Sequence, residues 1–103
     1  MSQTNLQSLF VLGCSHHKTP LEIRERLALS PDKLPALLQE LRACDDFSES
    51  LVLSTCNRLE IYVHACNENA QQSIREILCG SLNIKNDLLA AHAYRLHNLS
   101  AIQ

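Results

Sequence analysis

The feature that most constrains the fold is a run of alternating residues near the middle of the chain. In residues 59–65 (LEIYVHA), apolar and polar side chains alternate regularly. Successive side chains of a β-strand point to opposite faces, so this run predicts a strand with one apolar and one polar face. The apolar residues 50–54 (SLVLS) predict the strand before it. Residues 55–58 (TCNR) separate the two runs, and a connection of this length predicts a β-hairpin.

The N-terminal half predicts one further strand and two helices. Residues 8–15 (SLFVLGCS) are typical of a short buried strand, and a short helix is predicted over residues 20–29. Ser30 is the expected N-cap of the next helix, with Pro31 in its first position. The apolar stripe of this helix has the i, i+3, i+4, i+7 spacing and consists of Leu34, Leu37, Leu38 and Leu41.

The C-terminal half predicts a third helix over residues 68–78, with Gly80 as its stop. A helical turn over 86–91 and a last strand over 93–97 follow. The predicted order β-α-α-β-β-α-β matches the split β-α-β pattern with one extra helix. We therefore expect an α+β, ferredoxin-like antiparallel sheet of about four strands, with helices on one face and a single domain over residues 1–103.

Composition excludes several classes of protein. The chain has 9 basic and 11 acidic residues, and its net charge of −2 does not indicate a strongly basic surface for nucleic acid. No apolar run reaches the roughly 18 residues that span a bilayer, and the N-terminus lacks the features of a secretory signal. Five cysteines without a C-x-x-C pair indicate reduced thiols in a cytoplasmic protein. Cys14, His16 and His17 have no second cluster to complete a zinc site, so we expect no metal.

Cys56 is the best candidate for a reactive group, because it lies in the predicted turn, where side chains are exposed. A thiol with a pKa of roughly 8.5 needs a positive neighbour or backbone donors to ionise at neutral pH. Arg58 could supply that charge, or could bind a substrate carboxylate through two hydrogen bonds. Strand alternation places Arg58, Glu60, Tyr62 and His64 on one face.

Less specific interpretations remain open for each of these residues. A cysteine is often a small core residue, and we expect this of the four cysteines other than Cys56. Glu60 and His64 alone are typical of the solvated face of an antiparallel sheet. His16 and His17 could simply end the first strand. A cysteine phosphatase is excluded because Arg58 follows Cys56 too soon and no glycines follow it. A papain-like protease is excluded because it needs distant His and Asn or Asp partners on a much longer chain.

Two segments resemble glutamyl-tRNA reductases, the first committed enzymes of tetrapyrrole (porphyrin) synthesis by the five-carbon route. Residues 51–62 (LVLSTCNRLEIY) resemble the signature of that family, and residues 13–25 (GCSHHKTPLEIRE) resemble its opening motif. The resemblance covers nearly the whole chain. Lys18 and Thr19 depart from the Thr-Ala that the family usually has before this proline, which leaves the cysteine motif unaffected.

The resemblance implies an NADPH-dependent oxidoreductase that acts through a cysteine thioester. Cys56 would attack the ester carbonyl of glutamyl-tRNA(Glu), and hydride from NADPH would reduce the thioester to glutamate-1-semialdehyde. Thr55, Asn57 and Arg58 would recognise the substrate. Glu60 would support Arg58, and His16 is a further possible supporting residue.

The resemblance also implies that this chain is a truncated N-terminal catalytic domain. Two glycines, Gly13 and Gly80, cannot form a G-x-G-x-x-G loop, so we expect the NADPH-binding and dimerisation domains to lie beyond Gln103. The implied partners are glutamyl-tRNA, a second copy in a full-length homodimer and the downstream aminomutase, with no membrane. This fragment would carry the nucleophile without completing the reduction. The alternative function is a non-catalytic, ferredoxin-like module that binds tRNA or a partner protein; a third is a thioester-forming hydrolase.

Overall fold

Four strands form one antiparallel sheet in the computed structural model, which describes residues 8–15, 20–55 and 57–97. The strands lie in the order β2-β3-β1-β4, and each neighbouring pair is antiparallel. Their bounds are β1 Ser8–Ser15, β2 Phe47–Ser54, β3 Arg58–Ala65 and β4 Ala93–His97. This is the strand order of a ferredoxin-like sheet, so the predicted α+β class and the four strands are confirmed.

The register of β1 brings distant parts of the chain into one row. Gly13 pairs with Glu60 of β3 on one side and with Tyr94 of β4 on the other. Directly paired residues of an antiparallel sheet share a face. Glu60 and Tyr94 therefore project on the same side of the sheet, on either side of a glycine.

Four helices cover the other side of the sheet. Their bounds are α1 Leu21–Leu27, α2 Leu34–Ala43, α3 Ala70–Leu82 and α4 Asn86–His92, and a 3-10 turn at Pro31–Lys33 precedes α2. Each helix contributes a fully buried side chain to one core, including Leu27, Leu41, Ile74 and Leu89. The predicted placement of the helices on one face is thus confirmed. In the part of the chain that is described, no helix is long and apolar enough to cross a membrane.

The core lies between the helices and the inward face of the two central strands. Burying these apolar side chains supplies most of the driving force for folding. The core residues of these two strands are Phe10, Leu12, Cys14, Leu59, Ile61 and Val63, and Phe47 of β2 joins them. The same alternation that buries these side chains directs Glu60 and its neighbours to the opposite face, which none of the described helices covers and which we call the open face. Its described residues include Val11, Gly13, Leu51, Leu53, Arg58, Glu60, Tyr62, His64 and Tyr94.

Three details of the helix prediction differ from the structure. Ser30 is not the N-cap of α2: it precedes the 3-10 turn and makes no capping side-chain hydrogen bond, and Lys33 stands at the N-cap of α2. Helix α3 does not stop at Gly80; it continues to Leu82 and ends with Asn83 in the left-handed conformation, at φ 57° and ψ 50°. Asparagine tolerates this conformation, so it provides the C-terminal cap in place of glycine. Residues 86–91 belong to the seven-residue helix α4, which makes the element order β-α-α-β-β-α-α-β.

Candidate active site

The structure describes four of the six residues that the sequence singles out. Thr55, Asn57, Arg58 and Glu60 are described, whereas Cys56 and His16 lie outside the described residues. The role of Cys56 as nucleophile and that of His16 therefore stay predictions. The geometry of the residues on both sides of Cys56 can be given in detail.

The turn between β2 and β3 is organised by one hydroxyl group. The backbone N–H of Thr55 donates to the carbonyl oxygen of Arg58 at 2.8 Å and closes the predicted hairpin. The Oγ1 atom of Thr55 accepts from the backbone N–H of Asn57 at 3.2 Å and from that of Arg58 at 3.1 Å. Threonine side chains commonly replace a backbone acceptor in this way in turns. Thr55 thus fixes the backbone on both sides of position 56.

Arg58 begins β3 and projects onto the open face. Its Nη1 atom lies 3.7 Å from Oε2 of Glu60, two residues along the same face. The Arg58 side chain is 52% exposed, whereas that of Glu60 is 7% exposed. A half-exposed guanidinium this far from its acidic neighbour keeps N–H groups available for an anion.

Glu60 is held by two phenols. The hydroxyl of Tyr62 donates to Oε1 at 2.8 Å, and the hydroxyl of Tyr94 donates to Oε2. The hydrogen bond to Glu60 raises the pKa of Tyr62, and burial followed by the bond to Glu60 raises the pKa of Tyr94. The solvated-face interpretation is therefore wrong for Glu60, which is buried and accepts hydrogen bonds from both tyrosines, although His64 on the same face is exposed.

Gly13 and Tyr94 are site residues that the sequence reasoning did not single out. A Cβ atom built on Gly13 would lie 2.6 Å from Cζ and 2.8 Å from Oη of Tyr94, so the tyrosine ring rests directly against this glycine. Glycine inside a strand often marks such a close approach. That signal was present in the sequence, but it does not say which side chain approaches, because Tyr94 is 81 positions away along the chain.

The remaining cysteines differ from one another in burial. Cys14 is fully buried, and burial raises the pKa of its thiol to about 11, as expected of a core residue. Cys44 and Cys79 are half-buried. Cys66 is exposed, so the core interpretation is wrong there; it follows the last residue of β3, where the strand has left the core.

The described residues do not fit a dinucleotide cofactor. Gly13 lies within β1 against Tyr94, and Gly80 lies within α3. Neither stands in a loop between a strand and the N-terminus of a helix, where a pyrophosphate is held. Among residues 8–15, 20–55 and 57–97, no three His, Cys, Asp or Glu residues form a group that could hold a metal ion. The predicted absence of a metal remains a prediction.

Comparison with known proteins identifies the family. Residues 12–103 match the family model described as Glutamyl-tRNAGlu reductase, N-terminal domain. A glutamyl-tRNA reductase of Synechococcus sp. is 40% identical over 96 residues, and one of Ruthia magnifica is 34% identical over 87 residues. These alignments cover 92% and 84% of this chain but 22% and 21% of the relatives, so the chain spans about a fifth of their length.

A solved structure supports the fold independently. The glutamyl-tRNA reductase from Methanopyrus kandleri superposes with a TM-score of 0.57 at 21% identity, over 91% of this chain and 20% of that chain. On the strength of the family model and the curated relatives, this chain belongs to the glutamyl-tRNA reductase N-terminal domain family.

Proposed function

We propose that this chain provides the cysteine nucleophile and the glutamate-recognition site of a glutamyl-tRNA reductase. One observation carries the proposal: in a chain of this family, Thr55 fixes the turn around position 56 and a half-exposed Arg58 follows on the open face. The proposed nucleophile and the proposed carboxylate-binding group are thus two positions apart in the chain, in a turn held by backbone hydrogen bonds to Thr55. Holding both groups in one turn would favour attack on a bound acyl ester.

The proposed step is acyl transfer from tRNA to Cys56. The Cys56 thiolate forms a bond to the ester carbonyl carbon of glutamyl-tRNA, and the bond from that carbon to the ribose oxygen of the tRNA breaks. The departing oxygen takes a proton, and the glutamyl group remains on sulfur as a thioester. Asn57, the next residue along the chain, is proposed with Thr55 to contact the substrate.

Arg58 is proposed to bind the side-chain carboxylate of the glutamyl group. That carboxylate is free in glutamyl-tRNA, because the α-carboxyl group is esterified. The 3.7 Å separation from Glu60 leaves Arg58 without a short hydrogen bond to that residue, while Glu60 keeps the guanidinium on the open face. Glu60 therefore supports Arg58 without neutralising it through a close contact.

The reduction itself is proposed for the longer relatives and not for residues 1–103 alone. In the family reaction NADPH supplies the hydride that converts the thioester to glutamate-1-semialdehyde, the precursor of tetrapyrroles. Because the described residues do not fit NADPH, our proposal for this chain ends at the acyl-enzyme. A cytoplasmic location, a homodimer, transfer of the product to an aminomutase and a supporting role of His16 remain proposals of the same kind.

A binding module without catalysis is the second candidate. Leu51 and Leu53 of β2 lie on the open face and are 63% and 43% exposed. Exposed leucines beside a recognition hairpin suit a contact with a partner molecule. This candidate predicts that Cys56→Ser leaves binding, and every activity of the parent enzyme, unchanged.

The carboxylate-binding role of Arg58 is tested with two aminoacyl-tRNAs. Excess protein is mixed with labelled glutamyl-tRNA or glutaminyl-tRNA, and ester cleavage is followed as a function of protein concentration. Arg58→Lys should raise the half-saturating concentration for glutamyl-tRNA about tenfold, because one bidentate charged contact is lost. It should have little effect on glutaminyl-tRNA, which lacks the carboxylate. The matched control is Arg26→Lys on the exposed side of α1, and equal losses with both tRNAs would contradict the proposal.

A further inference from the structure

The ion pair between Arg58 and Glu60 is longer than the position of the two residues requires. They lie two positions apart on one face of β3, yet Nη1 and Oε2 are 3.7 Å apart. Hydrogen-bonded pairs of this kind usually have N–O distances of about 2.8 Å. The guanidinium therefore makes no short hydrogen bond to the carboxylate.

The competing donors are the two phenols. Tyr62 donates to Oε1, and Tyr94 donates to Oε2, which is the oxygen nearest to Arg58. With the side chain of Glu60 only 7% exposed, few directions of approach to Oε2 are open. The hydroxyl of Tyr94 therefore takes up one of the two acceptor directions of Oε2, on an oxygen with little free surface left for an N–H group of Arg58.

The position of Tyr94 is set by the sheet and by Gly13. Strand β4 pairs with β1 so that Tyr94 stands opposite Gly13, and Gly13 stands opposite Glu60. The ring crosses the glycine within 2.6 Å of where a Cβ atom would lie. Any other residue at position 13 would push the ring aside, so this glycine is what allows the hydroxyl to reach Glu60.

We propose that Tyr94 is a positioning residue: its hydroxyl occupies Oε2 of Glu60 and thereby keeps the Arg58 guanidinium available to a substrate carboxylate. The inference deepens the proposed function, because only that function identifies the carboxylate as the glutamyl side chain. The competition between Tyr94 and Arg58 for one oxygen stands on the geometry alone.

Removing each hydroxyl in turn separates this role from general stabilisation. Tyr94→Phe vacates Oε2, and Arg58 then closes onto Glu60. Tyr62→Phe removes a similar bond to the same carboxylate but vacates Oε1, so it is the matched control. Gly13→Ala displaces the ring and should act like Tyr94→Phe although the hydroxyl is still present. Adding Glu60→Gln to Tyr94→Phe removes the charge that attracts Arg58 and should reverse the effect.

In the proposed reaction, Tyr94→Phe should weaken the binding of glutamyl-tRNA more than it slows the acylation step. Tyr94→Phe should raise the concentration of glutamyl-tRNA at half-maximal acylation of Cys56 about tenfold while the maximal rate stays within about twofold. Loss of maximal rate at unchanged half-saturation would overturn the positioning role. If the unmodified chain is not acylated at all, the proposed function fails, and the next measurement decides the inference without it.

Labelling of arginine by phenylglyoxal decides the inference without any substrate. The reagent modifies accessible guanidinium groups, and mass spectrometry of peptides gives the rate at Arg58, with exposed Arg26 as the internal reference. We expect the Arg58 rate to fall about tenfold in Tyr94→Phe and in Gly13→Ala, because closing a charged pair shifts the accessible population by that order. The rate should stay unchanged in Tyr62→Phe and recover in the Tyr94→Phe/Glu60→Gln variant. An unchanged rate in Tyr94→Phe, or an equal fall in Tyr62→Phe, would overturn the proposal.

Discussion

The two glycines of this chain should respond to the same substitution with opposite signs. Gly13 lies under the ring of Tyr94, so the Cβ atom of an alanine would stand 2.6 Å from Cζ and the ring has to move. Gly80 lies within α3, and no heavy atom is within 4 Å of its Cβ position. The rest of the chain contains no glycine, so each substitution is a control for the other.

The magnitudes follow from what each alanine gains and loses. Alanine in place of glycine inside a strand or helix stabilises a protein by about 0.5–1 kcal/mol. At position 13 this gain is outweighed by the loss of the hydrogen bond from Tyr94 to a carboxylate, about 1.5–3 kcal/mol, reduced somewhat because Tyr94 is partly exposed. Gly13→Ala should therefore lower the free energy of unfolding by about 1 kcal/mol, which corresponds to a fall in Tm of about 4–8 °C. Gly80→Ala should raise the free energy of unfolding by about 0.5 kcal/mol.

The assay is urea unfolding followed by far-ultraviolet circular dichroism, repeated in a Tyr94→Ala background. With the ring absent, Gly13→Ala should become stabilising by about 0.5 kcal/mol, while the effect of Gly80→Ala should not change. This reversal of sign isolates the contact between Gly13 and Tyr94. A stabilising Gly13→Ala in the unmodified chain, or no reversal in the Tyr94→Ala background, would show that the Tyr94 ring does not press on Gly13.

Three further outcomes are expected. Thr55→Val should lower the free energy of unfolding in urea by about 1 kcal/mol, because two backbone N–H groups of the turn lose their acceptor. Thr55→Ser keeps a hydroxyl and should lower it only slightly, and equal losses in the two variants would contradict this. Hydrogen bonds, above all the one from Ser73, lower the pKa of Asp46. The ionised Asp46 carboxylate therefore stabilises the folded state above about pH 4, and this stabilisation is lost as the pH falls through the lowered pKa. The urea midpoint of Asp46→Asn should therefore fall less between pH 6 and pH 3 than that of the unmodified chain, and an equal fall would count against the assignment. Iodoacetamide at pH 8 should modify exposed Cys66 well before Cys14, whose pKa is about 11, and peptide mass spectrometry would reveal the reverse order if it occurred.

The parts of the fold that depend on local pattern could be predicted from the sequence. The alternation in residues 59–65 specified β3 and its two faces, and the short connection specified the hairpin with β2. The end of α3 could not be predicted in the same way. Gly80 is a frequent helix stop, but in open surroundings a helix can pass through glycine at modest cost, and Asn83 takes the left-handed position instead.

The site was predictable only along β3. Arg58 and Glu60 were placed correctly on one face because they belong to one strand. Tyr94 reaches Glu60 through the register of β1 with both neighbours, and this register depends on packing across the whole sheet. The burial of Glu60 has the same non-local cause, so a prediction from alternation alone made it a solvated residue.

The most direct test of the account is detection of a glutamyl thioester on Cys56. The chain is incubated with glutamyl-tRNA, quenched in acid to preserve the thioester, digested and analysed by mass spectrometry, with Cys56→Ser as the control. We expect a glutamyl adduct on the peptide that contains Cys56 and none on the corresponding peptide of Cys56→Ser. An adduct on another cysteine, or none on Cys56 while glutamyl-tRNA is bound, would contradict the nucleophilic role and favour the binding module.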